Sequence, residues 1–137
     1  MKDYPIFFSV LVLLVFSCDL LDEKIIDISG KITDEGYAVS GAIILLVEST
    51  DISDGLNLSN GSISLANGKY TILNVDPGDY YVLAIDDKNS NQQFDADTDQ
   101  LGFYGINPDD QDFLPNKISV ADKDLENINI VDLYSLQ

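Results

Sequence analysis

The chain has 137 residues, with 24 acidic side chains against seven lysines, no arginine and no histidine, for a formal net charge of −17. That balance disfavours nucleic acid and anionic head groups, whose recognition depends on lysine and arginine neutralising phosphate. It also removes a histidine-based triad, a Cys-His pair and a zinc hydrolase from consideration. A length of 137 residues suits one domain, and a hydrophobic fraction of 45% argues against disorder.

The chain opens on a short polar stretch with one lysine, Met1-Lys2-Asp3-Tyr4. An almost wholly apolar run follows over residues 6–16, interrupted only by Ser9. It is too short to span a bilayer, which takes about 20 residues, and it fits the apolar region of a secretory signal. The run ends at Val15-Phe16-Ser17-Cys18, which resembles the lipobox of bacterial lipoproteins, with Phe16 bulkier than usual at its position. Cys18 is the chain's one cysteine, so an internal disulfide is excluded and a lipid on the thiol explains its presence. The resemblance implies a signal peptide at 1–17, lipidation of Cys18 with palmitate-type chains, and a tether at 18–26. Several acyl chains on one residue give stable membrane attachment. The expected location is the bacterial cell envelope, at the outer membrane or cell surface.

From residue 25 onward, short β-rich runs alternate with Gly, Pro, Asn and Asp. They fall at 25–33, 42–48, 62–65, 69–75, 80–86, 117–120 and 127–133. About seven short strands at this spacing predict an all-β sandwich, transthyretin-like or immunoglobulin-like, over 27–137. The run from Lys69 to Asp86 reads as a hairpin closed by a type II turn at Asp76-Pro77-Gly78-Asp79. Tyr70, Ile72 and Val75 are expected to face inward. Tyr80, Val82 and Ala84 lie on one face of the next strand, and Tyr81, Leu83 and Ile85 on the other. Two apolar faces predict a central strand.

The segments ISGKITDEGYAVSGAIILLVEST and LANGKYTILNVDPGDYYVLAID resemble the carboxypeptidase regulatory-like domain, a transthyretin-like β-sandwich. Gly30 and Ile32 match its first strand, and Gly41-Ala42 with Ile44 and Leu46 its second. Gly68, Tyr70, Pro77, Gly78 and Tyr80 match its most recognisable hairpin. The resemblance covers about residues 28–86 and implies an accessory role as spacer, adaptor or adhesive module. The histidine- and arginine-dependent hydrolase chemistry of transthyretin-like purine-pathway enzymes has no residues to support it here.

The central strand runs into DDKNSNQQFDADTDQLGFYG, residues 86–105. Asp87, Asn89, Asn91 and Asp95 fall at loop positions one, three, five and nine, and the Gln93 carbonyl would fall at seven. A hard cation such as Ca²⁺ takes six to eight oxygen ligands, and alternate side chains of one tight loop supply them. Position twelve is Thr98, with Asp97 and Asp99 on either side, and Gln92 stands where the turn glycine of an EF-hand loop is usual. The expected site is a weak structural calcium site made by Asp87, Asn89, Asn91, Gln93, Asp95, Asp97 and Asp99. The loop and its GFYG end are also similar to insertions in lipoproteins carrying this domain.

Tyr37, Phe103 and Tyr104 fall in expected loops and are candidate ligand contacts. The polar stretch 50–61 contains nothing diagnostic. With 20 aspartates a carboxylate pair for glycoside cleavage can always be found, so none is meaningful. The sequence thus predicts no enzyme. It predicts a lipid-anchored envelope protein, a binding or structural β-sandwich stabilised by calcium, whose partner is an envelope protein or polysaccharide. The alternative is a cell-surface carbohydrate-binding module using the loop aromatics.

Overall fold

A computed structural model describes residues 24–51 and 60–136. The expected signal peptide, Cys18 and most of the tether lie outside the described residues, as does most of the polar stretch 50–61. The described residues form an all-β sandwich. Its strands are β1 (Ile28–Lys31), β2 (Thr33–Asp34), β3 (Tyr37–Ala38), β4 (Ile43–Val47), β5 (Gly61–Ile63), β6 (Lys69–Ile72), β7 (Gly78–Asp86), β8 (Gln100–Phe103) and β9 (Lys117–Val120).

The first layer pairs β1 with β6, antiparallel, from Ile28 opposite Ile72 to Lys31 opposite Lys69. The C-terminal segment lies along the other edge of β1, through parallel bridges at Ile28–Leu125 and Ile32–Ile130. The second layer runs β5-β4-β7-β8, with β9 also on β7. Strand β7 holds it together. β4 pairs with Tyr81–Ile85 along one edge, while β8 takes Leu83–Asp86 and β9 takes Gly78–Tyr81 along the other.

Alternation of side chains along β7 gives it two buried faces, as its sequence predicts. Val82 and Ala84 face the first layer and pack with Ile44 and Leu46 of β4, Ile28 of β1, Tyr70 and Ile72 of β6, and Ile118 and Val120 of β9. Val75, Ile26, Ile32 and the C-terminal Ile128, Ile130 and Leu133 also belong to this inner core. Leu83 and Ile85 face away from the first layer, into a separate outer cluster with Leu45, Leu101, Phe103 and Ile106.

The 69–86 run is not a hairpin. β6 belongs to one layer and β7 to the other, so residues 73–77 form an arch across the edge of the sandwich. Gly78 is no turn residue, because it already stands in β7 opposite Val120. The chain bends at Asn74 and Pro77, but each strand finds its partner elsewhere. A further difference lies in the stretch 86–105. Its end, Gln100–Phe103, is strand β8, and the turn is reduced to Tyr104–Gly105.

The last segment ties the layers together, and two glycines admit it. A side chain on Gly30 would stand 1.9 Å from the Ile128 carbonyl oxygen, and one on Gly102 would stand 2.2 Å from that of Asp132. The segment therefore presses on β1 and then on β8, where Leu101 and Tyr134 exchange backbone hydrogen bonds of 2.9 and 2.8 Å. The buried Tyr70 hydroxyl donates to the Ile128 carbonyl at 2.6 Å, which fixes the first of these approaches. Its burial raises the phenol pKa further above the usual range, with Tyr104 adding a smaller push.

Candidate functional site

Strands β7 and β8 are adjacent, with Asp86 opposite Gln100, so residues 87–99 form an excursion between two paired ends. Nearly every side chain in it is polar, and the loop folds on its own hydrogen bonds. Asp99 is its anchor. It is fully buried, and both carboxylate oxygens are engaged. The Lys88 amide donates to Oδ1 at 3.0 Å and the Asp95 amide donates to Oδ2 at 2.8 Å. The Thr98 hydroxyl adds a third bond at 3.2 Å. One side chain thereby closes the start of the loop onto its end.

The tip is built from short side chains accepting backbone N–H groups a few residues on, the Asx pattern that favours tight turns. Asp87 accepts from the amides of Asn91 at 3.3 Å and Gln92 at 2.7 Å. Asn89 accepts from the Asn91 amide at 3.2 Å, and Asn91 from the Gln93 amide at 2.9 Å. Gln92 turns the chain with φ of 60°, in the left-handed region that the glycine of a calcium loop ordinarily occupies. Ser90 does the same at 57°.

Positions three, five and nine converge. The side-chain amides of Asn89 and Asn91 donate to the same oxygen of Asp95, at 2.9 and 2.6 Å. These two bonds hold the Asp95 carboxyl below its ordinary pKa of 3.8. The stability that they lend is present above the unfolded value and is lost as pH falls through the lower folded one. Asp87 joins the group through the Asn91 amide. Asp97 lies on the exposed turn before Asp99. The Gln93 amide is committed to Asn91. Among the described residues no three carboxylate, thiol or imidazole side chains close on one point. The converging donors are instead a mixed set of two carboxylates and two amides. The amides present their NH₂ groups to Asp95, and their oxygens accept the Asn91 and Gln93 backbone N–H groups, so a cation here would require both amides to turn their oxygens inward.

Phe94 is the residue in this loop that the polar pattern obscures. A lone aromatic among acids and amides, it is half-buried and packs against the outer cluster. Of the aromatics expected to contact a ligand, Phe103 is not on the surface. It stands in β8 at 5% exposure, because the strand begins earlier than the glycines suggest. Tyr104 is half-buried against the inner core. Tyr37, 78% exposed on β3, is left without an aromatic companion from the expected set.

No family model matches the chain, and no curated protein does. Among solved structures it is similar to a chain of a type II cohesin–X-dockerin complex from Acetivibrio cellulolyticus. Identity there is 17% and the TM-score is 0.44, over 80% of this chain and 58% of that one. It is also similar to a DUF3823 family protein from Parabacteroides merdae, with 12% identity and a TM-score of 0.42, over 79% of this chain and 46% of that one. The chain thus spans between about half and three-fifths of these neighbours. Neither likeness carries a function to it.

Proposed function

We propose that this protein is a non-catalytic, lipid-anchored module of a bacterial envelope. In this reading Cys18 carries the lipid, the sandwich is a binding or structural unit of the carboxypeptidase regulatory-like kind, and the 87–99 loop takes a calcium ion. The observation that supports the ion is the convergence of Asn89 and Asn91 on one Asp95 oxygen. A cation would take the place of these two N–H groups once the amides turned their oxygens inward, with Asp87 beside them and Gln92 at the turn. Bound calcium would offset part of the charge of the loop's four aspartates and fix Phe94 over the outer cluster. With amides in the set, the affinity expected is ~10⁻⁴ to 10⁻³ M, the range of extracellular modules.

A thermal melt of the protein in rising calcium, with magnesium as control, tests the ion. Ligand at ten times its Kd stabilises the folded state by about 1.4 kcal/mol. The expected result is a calcium-selective rise in Tm that disappears in Asp87→Ala and Asp95→Ala. No rise, or an equal rise with magnesium, leaves the loop as a solvated acidic turn and sinks the calcium reading. The anchor has its own test. Cys18→Ser is expected to move the protein from the membrane fraction to the soluble one, and retention on the membrane would refute the lipid.

A further inference from the structure

The outward face of the first layer differs in charge from the chain as a whole. Lys31 and Lys69, two of only seven lysines, stand directly opposite each other on β1 and β6. Both are exposed, so their ammonium groups project from the same face. Like charges at directly opposed positions, with Cβ atoms about 5 Å apart, destabilise a sheet. An acidic chain has ample means to relieve this, yet neither lysine has a carboxylate within ion-pair distance. The one ion pair among the described residues joins Lys88 and Asp86.

The pair lines a concavity of about 490 Å³, within the range of small-molecule sites. Hydroxyls and the asparagines Asn127 and Asn129 surround it. Ser29 and Thr71 form the next outward rung, directly opposed and two residues along. Thr33 and Asn129 continue the wall. Asn129 accepts the Lys31 amide through its side-chain oxygen at 2.9 Å, which leaves its NH₂ to donate outward. The rung spacing is about 7 Å along the strands. Lys31 stands between Ser29 and Thr33 along the chain, with Asn129 beside it, so the charged rung has groups able both to donate and accept around it.

We propose that this face binds a sugar acid, with its carboxylate between Lys31 and Lys69 and its hydroxyls on Ser29, Thr71 and Asn129. A single negative charge is favoured over two. Glu126 lines the same concavity and the net charge is −17, so a second anionic group meets repulsion that the two lysines do not cancel. The site is separate from the 87–99 loop and does not depend on calcium.

The test is a titration of the full-length protein in detergent, without added calcium, read by backbone amide NMR shifts. The probes are D-galacturonate, D-galactose as its neutral counterpart, acetate as a bare carboxylate, and inorganic phosphate. Galacturonate is expected to shift amides of β1 and β6, and the other three to bind at least ~10-fold more weakly, a difference of about 1.4 kcal/mol. Lys31→Gln and Lys69→Gln should each weaken galacturonate binding several-fold and leave the Tm unchanged or slightly higher, since each removes a repulsion. Equal binding of acetate or phosphate would reduce the face to an unselective anion patch and overturn the saccharide. Equal binding of galactose would overturn the role of the lysines, and shifts confined to other elements would overturn the site.

Discussion

The second layer has two buried faces, closed by different means. On the inner face, Ile44, Leu46, Val82 and Ala84 meet a second sheet, and apolar side chains come from both sides. On the outer face, Leu45, Leu83, Ile85, Leu101 and Phe103 meet no sheet. Their cover includes Phe94 of the acidic loop, Ile106 of the segment after β8, and Tyr134 near the C-terminus. The inner face is held by packing between regular elements. The outer face is held by a lid that is itself held by polar bonds, above all those of Asp99. The same strand thus carries a core closed by a second sheet on one side and a core closed by loop and chain-end residues on the other.

Truncating matched residues on the two faces gives the largest effect and the most direct attempt to break this contrast. Ile44 and Leu83 are both fully buried. Replacing a buried Ile or Leu by Ala costs about 2–5 kcal/mol, and the value depends on how far the surroundings collapse into the space. Ile44→Ala, between two sheets, is expected in the upper part of that range. Leu83→Ala, under a loop, is expected in the lower part. Denaturant unfolding of the two variants measures both, and equal losses would mean that the lid is as stiff as a sheet.

A smaller effect belongs to the lid alone. Asp99→Ala removes the acceptor of two backbone amides in a fully buried site, and a loss of about 2–3 kcal/mol follows from leaving them unpaired. The two faces predict where that loss appears. Hydrogen exchange should quicken at Lys88, Asp95 and the β7–β8 ends, while amides of β1 and β6 keep their protection. Uniform quickening would show loop and sandwich opening as one unit.

The contrast also marks what could be read from the sequence. The strand alternation of β7 shows its two apolar faces directly, because a period of two is a local property. The polar character of the loop is legible for the same reason, since its short acids and amides fall in one segment. The partnering of strands is not local. Asp76-Pro77 marks a change of direction correctly, but whether it closes a hairpin or an arch depends on β1 and β9, far away in the chain. Phe103 reads as a loop aromatic because glycines flank the stretch around it, on both sides. One of them, Gly102, serves instead to let the Asp132 carbonyl approach β8. Asp99 reads as one more acid among many, and only its burial distinguishes it. The Lys31–Lys69 pair needs the β1–β6 register before it exists at all.

The smallest expected effect sharpens the account of the lid. Gln92 holds φ of 60°, and a side chain in that region costs about 1–2 kcal/mol. Gln92→Gly removes the cost but gives the unfolded chain more freedom, worth about 0.4–1 kcal/mol. The balance is a gain of between about 0 and 1.6 kcal/mol, read as a small rise in Tm. The Gln92 amide that donates to Asp87 is kept, so the turn itself is unchanged. Gln92 also lines a cleft with Ile43, Leu45 and Ile63 at the edge of the outer face. A fall in Tm would therefore mean that its side chain covers apolar surface worth more than the backbone strain. The lid would then reach past Phe94 to the β4–β5 edge, and the outer face would be closed by amide side chains as well as by aromatics.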